Sequence, residues 1–114
     1  MKDKPNVLVV CGRNKRRSRT AEYIFKNDAR FNIRSVGLSP KSERQIKEVD
    51  VRWSDLIFVM EYSQSKRISE AFRNEKLPEI EVLLIDDDYE YLNEELVEML
   101  LDRINTVLKS VFGI

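Results

Sequence analysis

The only cysteine of the chain, Cys11, closes an apolar run, and the eight residues after it carry five cations, Arg13, Lys15, Arg16, Arg17 and Arg19. Like charges held this closely repel one another, by about 1 kcal/mol per pair at 4 Å even in water. The cheapest compensation is an anion that is not part of the protein. The spacing is specific: Cys11-Gly12-Arg13-Asn14-Lys15-Arg16-Arg17-Ser18, a cysteine, five residues, then an Arg-Ser pair. Between a strand and a helix, a loop of this length can turn successive backbone N–H groups inward, forming an anion nest that opens onto a helix N-terminus. Gly12 permits close approach, and Asn14 tolerates a left-handed backbone. Arg17 can fold back and grip two phosphate oxygens in a bidentate fork. Cys11 would then lie at the floor of the cup, in surroundings that make a thiol nucleophilic, with Ser18 donating a hydrogen bond to it. A lone cysteine ending a strand is more often a small core hydrophobe. What favours chemistry here is the coincidence of strand, spacing and helix in one unit.

Sulfur attack on a phosphate ester expels an oxyanion, which leaves faster when protonated. The chain has no histidine, so the donor must be a carboxyl. Asp86, Asp87 and Asp88 form one run, with Tyr89 and Tyr91 just beyond. In their ordinary role such acids are solvated turn residues and such tyrosines half-buried packing. In the chemical reading one acid serves the leaving group and the rings wall a cleft.

These groups need elements to position them. Val7 to Val10 has the continuous, β-branched character of a strand buried on both faces. Ser18 to Asn27 reads as a helix with Ala21, Ile24 and Phe25 on one face. Phe31, Ile33 and Ser35 suggest a second strand, stopped by Gly37 and Pro40. Ser42 to Val49 reads as a short helix capped by Ser42. Asp55 to Met60 reads as a third strand, Ser63 to Phe72 as a helix and Glu81 to Ile85 as a fourth strand. Asn93 to Phe112 carries the strongest helical stripe: Leu96, Leu100, Ile104, Val107, Leu108 and Val111 behind a capping Asn. Trp53 and Met60 read as core. The alternation predicts an α/β fold, a four-stranded parallel sheet with helices on both faces, in one domain over residues 1–114. In such sheets ligands bind beyond the carboxyl ends of strands, where both Cys11 and the Asp86–Asp88 run fall.

The bulk numbers narrow the class. The 20 basic and 20 acidic residues balance, so no global field draws the chain to nucleic acid or a membrane surface. No apolar run approaches the length of a membrane span, and the start, Met1 to Asn6, lacks the apolar core of a secretory signal. A single cysteine allows no internal disulfide and fits a reducing cytoplasm. Without histidine, histidine-based nucleophile pairs and most zinc and haem sites are excluded; no metal or cofactor is called for.

The first loop resembles the active-site loop of the low-molecular-weight protein tyrosine phosphatases, a strand followed by C-x-G-N-x-C-R-S and a helix with A-E-x-I-F. Cys11, Asn14, Arg17 and Ser18 match, as do Ala21, Glu22, Ile24 and Phe25. Gly37 after the second strand, the Asp55–Glu61 stretch DLIFVME and the Asp86–Tyr91 stretch DDDYEY are similar to later family signals. The family's second loop cysteine is Arg16 here, its loop glycine is Arg13, and the proline of its D-P pair is missing. The resemblance implies a phosphomonoesterase acting on phosphotyrosine in protein, or on a small aryl phosphate, through a phosphocysteine on Cys11. Arg17 and the loop from Gly12 to Arg16 would bind phosphate. Aligned on its tyrosine, the acid is Asp87, with Asp88 and Tyr89 beside the substrate. A competing class keeps the basic loop as a phosphate, phosphopeptide or RNA binding module without turnover. Redox relay on the same scaffold needs further cysteines, which this chain lacks.

Overall fold

The run Asn6–Cys11 is buried at every position and forms the central strand β1 of a computed structural model that describes residues 4–114. Among the described residues, strands and helices alternate after it: α1 (Arg17–Phe25), β2 (Asn32–Gly37), α2 (Glu48–Trp53), β3 (Leu56–Val59), α3 (Tyr62–Ala71), β4 (Glu79–Val82) and α4 (Glu94–Phe112). All strand pairings are parallel and the order is β2-β1-β3-β4. The expected four-stranded parallel sheet is therefore present.

Strand side chains alternate between faces, and both faces of β1 are apolar. Val7, Val9 and Cys11 join Leu56, Phe58 and Met60 under Phe25 of α1 and Leu96, Leu100, Ile104 and Leu108 of α4. Leu8 and Val10 join Ile57 and Val59 under Val51 of α2 and Ile68 of α3. The four-residue spacing of the α4 leucines and isoleucine keeps them on one stripe. Each contributes roughly 1.5–3 kcal/mol by leaving water. That helix starts where the sequence predicts, with the Asn93 side chain accepting from the Leu96 N–H at 3.1 Å, and ends at Gly113, whose φ is +71°. The second-strand and remaining helix expectations hold to within one or two residues. Met60 is core, whereas Trp53 is half-buried beneath the Arg34 guanidinium, 4.1 Å from the ring centroid.

Two expected elements are displaced. The chain from Ser42 to Lys47 is not helical: Gly37 donates to the Arg44 carbonyl and Ile46 donates to Gly37. This edge bridge holds residues 44–46 extended, and α2 begins only at Glu48, where Asp50 accepts from the Lys47 N–H at 2.9 Å. The fourth strand runs Glu79–Val82 and not Glu81–Ile85, because Leu84 turns with a φ of 57°. Leu83 and Ile85 are still buried, and their N–H groups still reach the carbonyls of Val59 and Met60.

The chain leaves β1 toward β2 and returns on the opposite side as β3. The carboxyl end of β1 is thus the switch point of the sheet, where parallel α/β folds open a crevice. Cys11 stands there.

Candidate active site

The loop after Cys11 is fixed from the β2 side. Leu38 donates to the Cys11 carbonyl at 3.0 Å and Ser39 to the Gly12 carbonyl at 2.8 Å. Gly37 makes this approach possible, since a Cβ there would lie 2.6 Å from the Asn14 nitrogen and 2.8 Å from the Arg13 carbonyl carbon. Gly12 has no such constraint: a Cβ on it meets no protein atom within 4 Å, so close packing does not explain that glycine. Asn14 adopts the left-handed conformation, with a φ of 52°.

Inside the turn, three buried side chains form a chain. The Asn14 Nδ2 donates to Ser18 Oγ at 2.9 Å, and Ser18 Oγ lies 3.0 Å from Cys11 Sγ. Because the serine oxygen already accepts from Asn14, its own proton is free to point at sulfur. Among the described residues, no protein group accepts from the backbone N–H groups of residues 12–19. Unpaired N–H groups at a loop and helix N-terminus are donors suited to an anion, and α1 has no side-chain cap at its N-terminus.

Arg17 is 4% exposed despite its charge. Its Nη1 donates to the Ile85 carbonyl at 2.7 Å and lies 3.6 Å from Glu61 Oε1. Its Nε is buried without a hydrogen-bond acceptor; Asp87 Oδ1, at 3.6 Å, is too far for one. A guanidinium fixed at one corner, with a free donor, is ready to bind an oxyanion.

These groups meet in a cavity of about 410 Å³ lined by Cys11, Gly12, Arg13, Lys15, Arg16 and Arg17, with Ser39, Arg67 and Asp87. The structure therefore gathers the whole predicted loop around one opening, with Asn14 and Ser18 buried behind it. Of the three adjacent acids, Asp87 alone lines the cavity. Asp88 and Tyr89, expected beside the substrate, do not. Tyr89 packs against the apolar layer under α4, where lost solvent contact and the carboxylate of Glu95 raise its phenol above the ordinary range. Tyr91 turns away to an edge contact with Tyr23, at 6.3 Å between ring centroids. The fourth strand stops short and turns at Leu84, so the tyrosines do not follow the acid into the cleft.

Ser39 and Arg67, which line the cavity, and Glu61, which faces Arg17 from behind it, are the residues that sequence reasoning overlooked. Glu61 ends the DLIFVME stretch, so a signal for it was present. Ser39 and Arg67 carry none in their neighbourhood; the topology brings them in, from the turn after β2 and from α3.

No protein-family model matches the sequence, and no curated protein matches it. Solved structures do, and the fold they share with this chain is that of the low-molecular-weight protein tyrosine phosphatases. The phosphatase SP-PTP of Streptococcus pyogenes superposes with a TM-score of 0.78 at 20% identity, over 95% of this chain and 93% of that one. YfkJ from Bacillus subtilis gives 0.73 at 19% identity, over 98% and 97%. The YwlE arginine phosphatase of Geobacillus stearothermophilus gives 0.70 at 18% identity, over 93% and 94%. No helix among the described residues is long and apolar enough to cross a membrane.

Proposed function

We propose that this chain is a phosphomonoesterase that works through a phosphocysteine on Cys11. The observation that carries the reading is the buried Arg17 with its unpartnered Nε, opening on the same cavity as a sulfur hydrogen-bonded to Ser18. Structural neighbours that are themselves phosphatases, of tyrosine in one case and arginine in another, support it.

In the first step Cys11 Sγ attacks phosphorus, the P–O ester bond breaks, and Asp87 gives its proton to the departing oxygen. Arg17 and the unpaired loop N–H groups hold the non-bridging oxygens, whose charge shifts as the phosphoryl group transfers. In the second step water attacks the phosphocysteine, its proton passes to Asp87, and the P–S bond breaks to release inorganic phosphate. The Ser18 hydroxyl, oriented by Asn14, steadies the charge returning to sulfur. Phosphotyrosine in protein, the substrate the sequence resemblance implies, would be expected to meet an aromatic wall, and no aromatic residue lines this cavity.

Turnover of p-nitrophenyl phosphate between pH 5 and 8 tests the reading. Release of p-nitrophenol by the wild type, reduced to background in Cys11→Ser, is expected. Phosphate binding without any turnover would replace the enzyme with a binding module built on the same loop.

A further inference from the structure

Five cations line the cavity, Arg13, Lys15, Arg16, Arg17 and Arg67, against one acid, Asp87. Two of them have acidic neighbours: Arg17 faces Glu61 and Asp87, and Arg16 lies 3.7 Å from Glu90. Among the described residues, Arg13, Lys15 and Arg67 have no acid within ion-pair distance. The Asp86–Asp88 run therefore does not neutralise the rim; only Asp87 reaches it, and Asp87 is engaged with Arg17. The three remaining cations come from two separate elements, the loop after β1 and the body of α3, and converge on the cavity that holds Cys11.

Under the proposed mechanism, one phosphoryl group occupies Arg17 and the loop amides, which leaves Arg13, Lys15 and Arg67 for a second anion. In a phosphopeptide the acids that flank the phosphorylated residue stand at the backbone, a side-chain length from phosphorus and outside the cavity. Arg13, Lys15 and Arg67 are exposed yet line the reaction cavity, a position at its rim that fits an anion on the same small molecule. The lining offers no aromatic face for a ring to stack on.

We infer that the substrate is a small, non-aromatic organic phosphate carrying a second phosphate, read by Arg67 together with Arg13 and Lys15. This rests on the phosphomonoesterase reading above and names the substrate class of that same site. Arg67 is then a specificity-determining residue contributed by α3.

The test uses a matched pair, propane-1,3-diol bisphosphate and propyl phosphate, which share a leaving-group type and differ by one phosphate. Phosphate release should favour the bisphosphate by about 30-fold or more in kcat/KM at low salt, and the preference should shrink as ionic strength screens the rim. Arg67→Gln should cut the ratio to about 3-fold or less, whereas Arg52→Gln, at an exposed arginine of α2 that pairs with Glu75, should leave it unchanged. A ratio near one, while p-nitrophenyl phosphate is still hydrolysed through Cys11, overturns the inference and spares the phosphatase. Better turnover of a tyrosine phosphopeptide with neutral flanks than of the bisphosphate also overturns it. Should p-nitrophenyl phosphate not turn over at all, the phosphatase reading fails, and calorimetric titration with the same pair decides the subsite. Tighter binding of the bisphosphate, lost in Arg67→Gln, upholds it, and equal affinity ends it.

Discussion

At the scale of single residues, the proposed reaction divides between a sulfur that attacks and a carboxyl that serves the leaving oxygen. The second role can be isolated by varying the leaving group. A p-nitrophenolate departs readily without a proton, whereas a phenolate gains much more from one. Asp87→Asn should therefore lower kcat on phenyl phosphate by about 10²–10⁴-fold, the range expected for a lost general acid, and lower it much less on p-nitrophenyl phosphate. Asp88→Asn, outside the cavity, should alter either rate by less than about two-fold, as surface changes usually do. Steady-state kinetics on the two esters checks both; equal losses on both would remove Asp87 from the role. How much of the site could be read in advance follows from where its parts lie in the chain. Cys11, Asn14, Arg17 and Ser18 occupy one contiguous turn, so their types and spacing were enough to gather them. Arg67 sits among ordinary helix-surface residues, and nothing local separates an arginine facing a cavity from one facing water.

At the scale of elements, the loop is held in shape by what stands behind it. The glycine ending β2 touches the loop backbone so closely that a methyl group would meet the Asn14 nitrogen and the Arg13 carbonyl carbon within 2.8 Å. Backbone atoms cannot swing aside like the end of a flexible side chain, so Gly37→Ala must push the loop outward. Overpacking of this kind costs about 1–3 kcal/mol, and a displacement near 1 Å at a reacting centre costs about 10²-fold in rate. Gly37→Ala should lower the thermal midpoint and reduce p-nitrophenyl phosphate turnover by about that factor. Gly12→Ala is the counterpart: with no protein atom near the added methyl, its midpoint should stay at the wild-type value. A Gly37→Ala protein with normal activity would mean that the loop does not depend on β2. The displaced elements carry a related lesson. The Ser42–Val49 pattern was helical by composition, but the unpaired edge of β2 competes for the same backbone groups and takes Arg44 and Ile46. Glu81 to Ile85 is strand-like throughout, yet Leu84 turns left-handed and stands exposed, so the strand ends at Val82. Competition between a segment and a distant partner is invisible to local periodicity.

At the scale of the whole molecule, two apolar layers on one central sheet made the fold legible, because a strand buried on both faces and a strongly striped final helix leave few other arrangements. The fastening between layers was less visible. Asp28 and Arg30 lie in the turn between α1 and β2, and Arg30 also donates to Asn105 on α4 at 2.7 Å, tying the last helix to the first. The charge-assisted hydrogen bond from Arg30 holds the Asp28 carboxyl below its ordinary range. Depressed in the folded state, this carboxyl adds stability above its unfolded pKa of about 4, and that stability is lost as pH falls through the lower folded value. Glu81 behaves in the opposite sense. A carboxyl hydrogen bond with Glu79 on β4 raises it above the ordinary range, so its penalty appears as pH rises through the unfolded value and is complete above the folded one. Denaturant unfolding across pH should separate the two. Asp28→Asn is expected to destabilise the protein at pH 7 by about 0.5–1 kcal/mol, a figure discounted for a partly solvated pair, and to match wild type near pH 2. Glu81→Gln is expected to stabilise it at pH 7 and to have no effect at low pH, where both carboxyls are protonated. If Asp28→Asn shows the same deficit at pH 2 as at pH 7, the loss comes from packing in the turn, and the Arg30 charge contributes nothing to holding α4 in place.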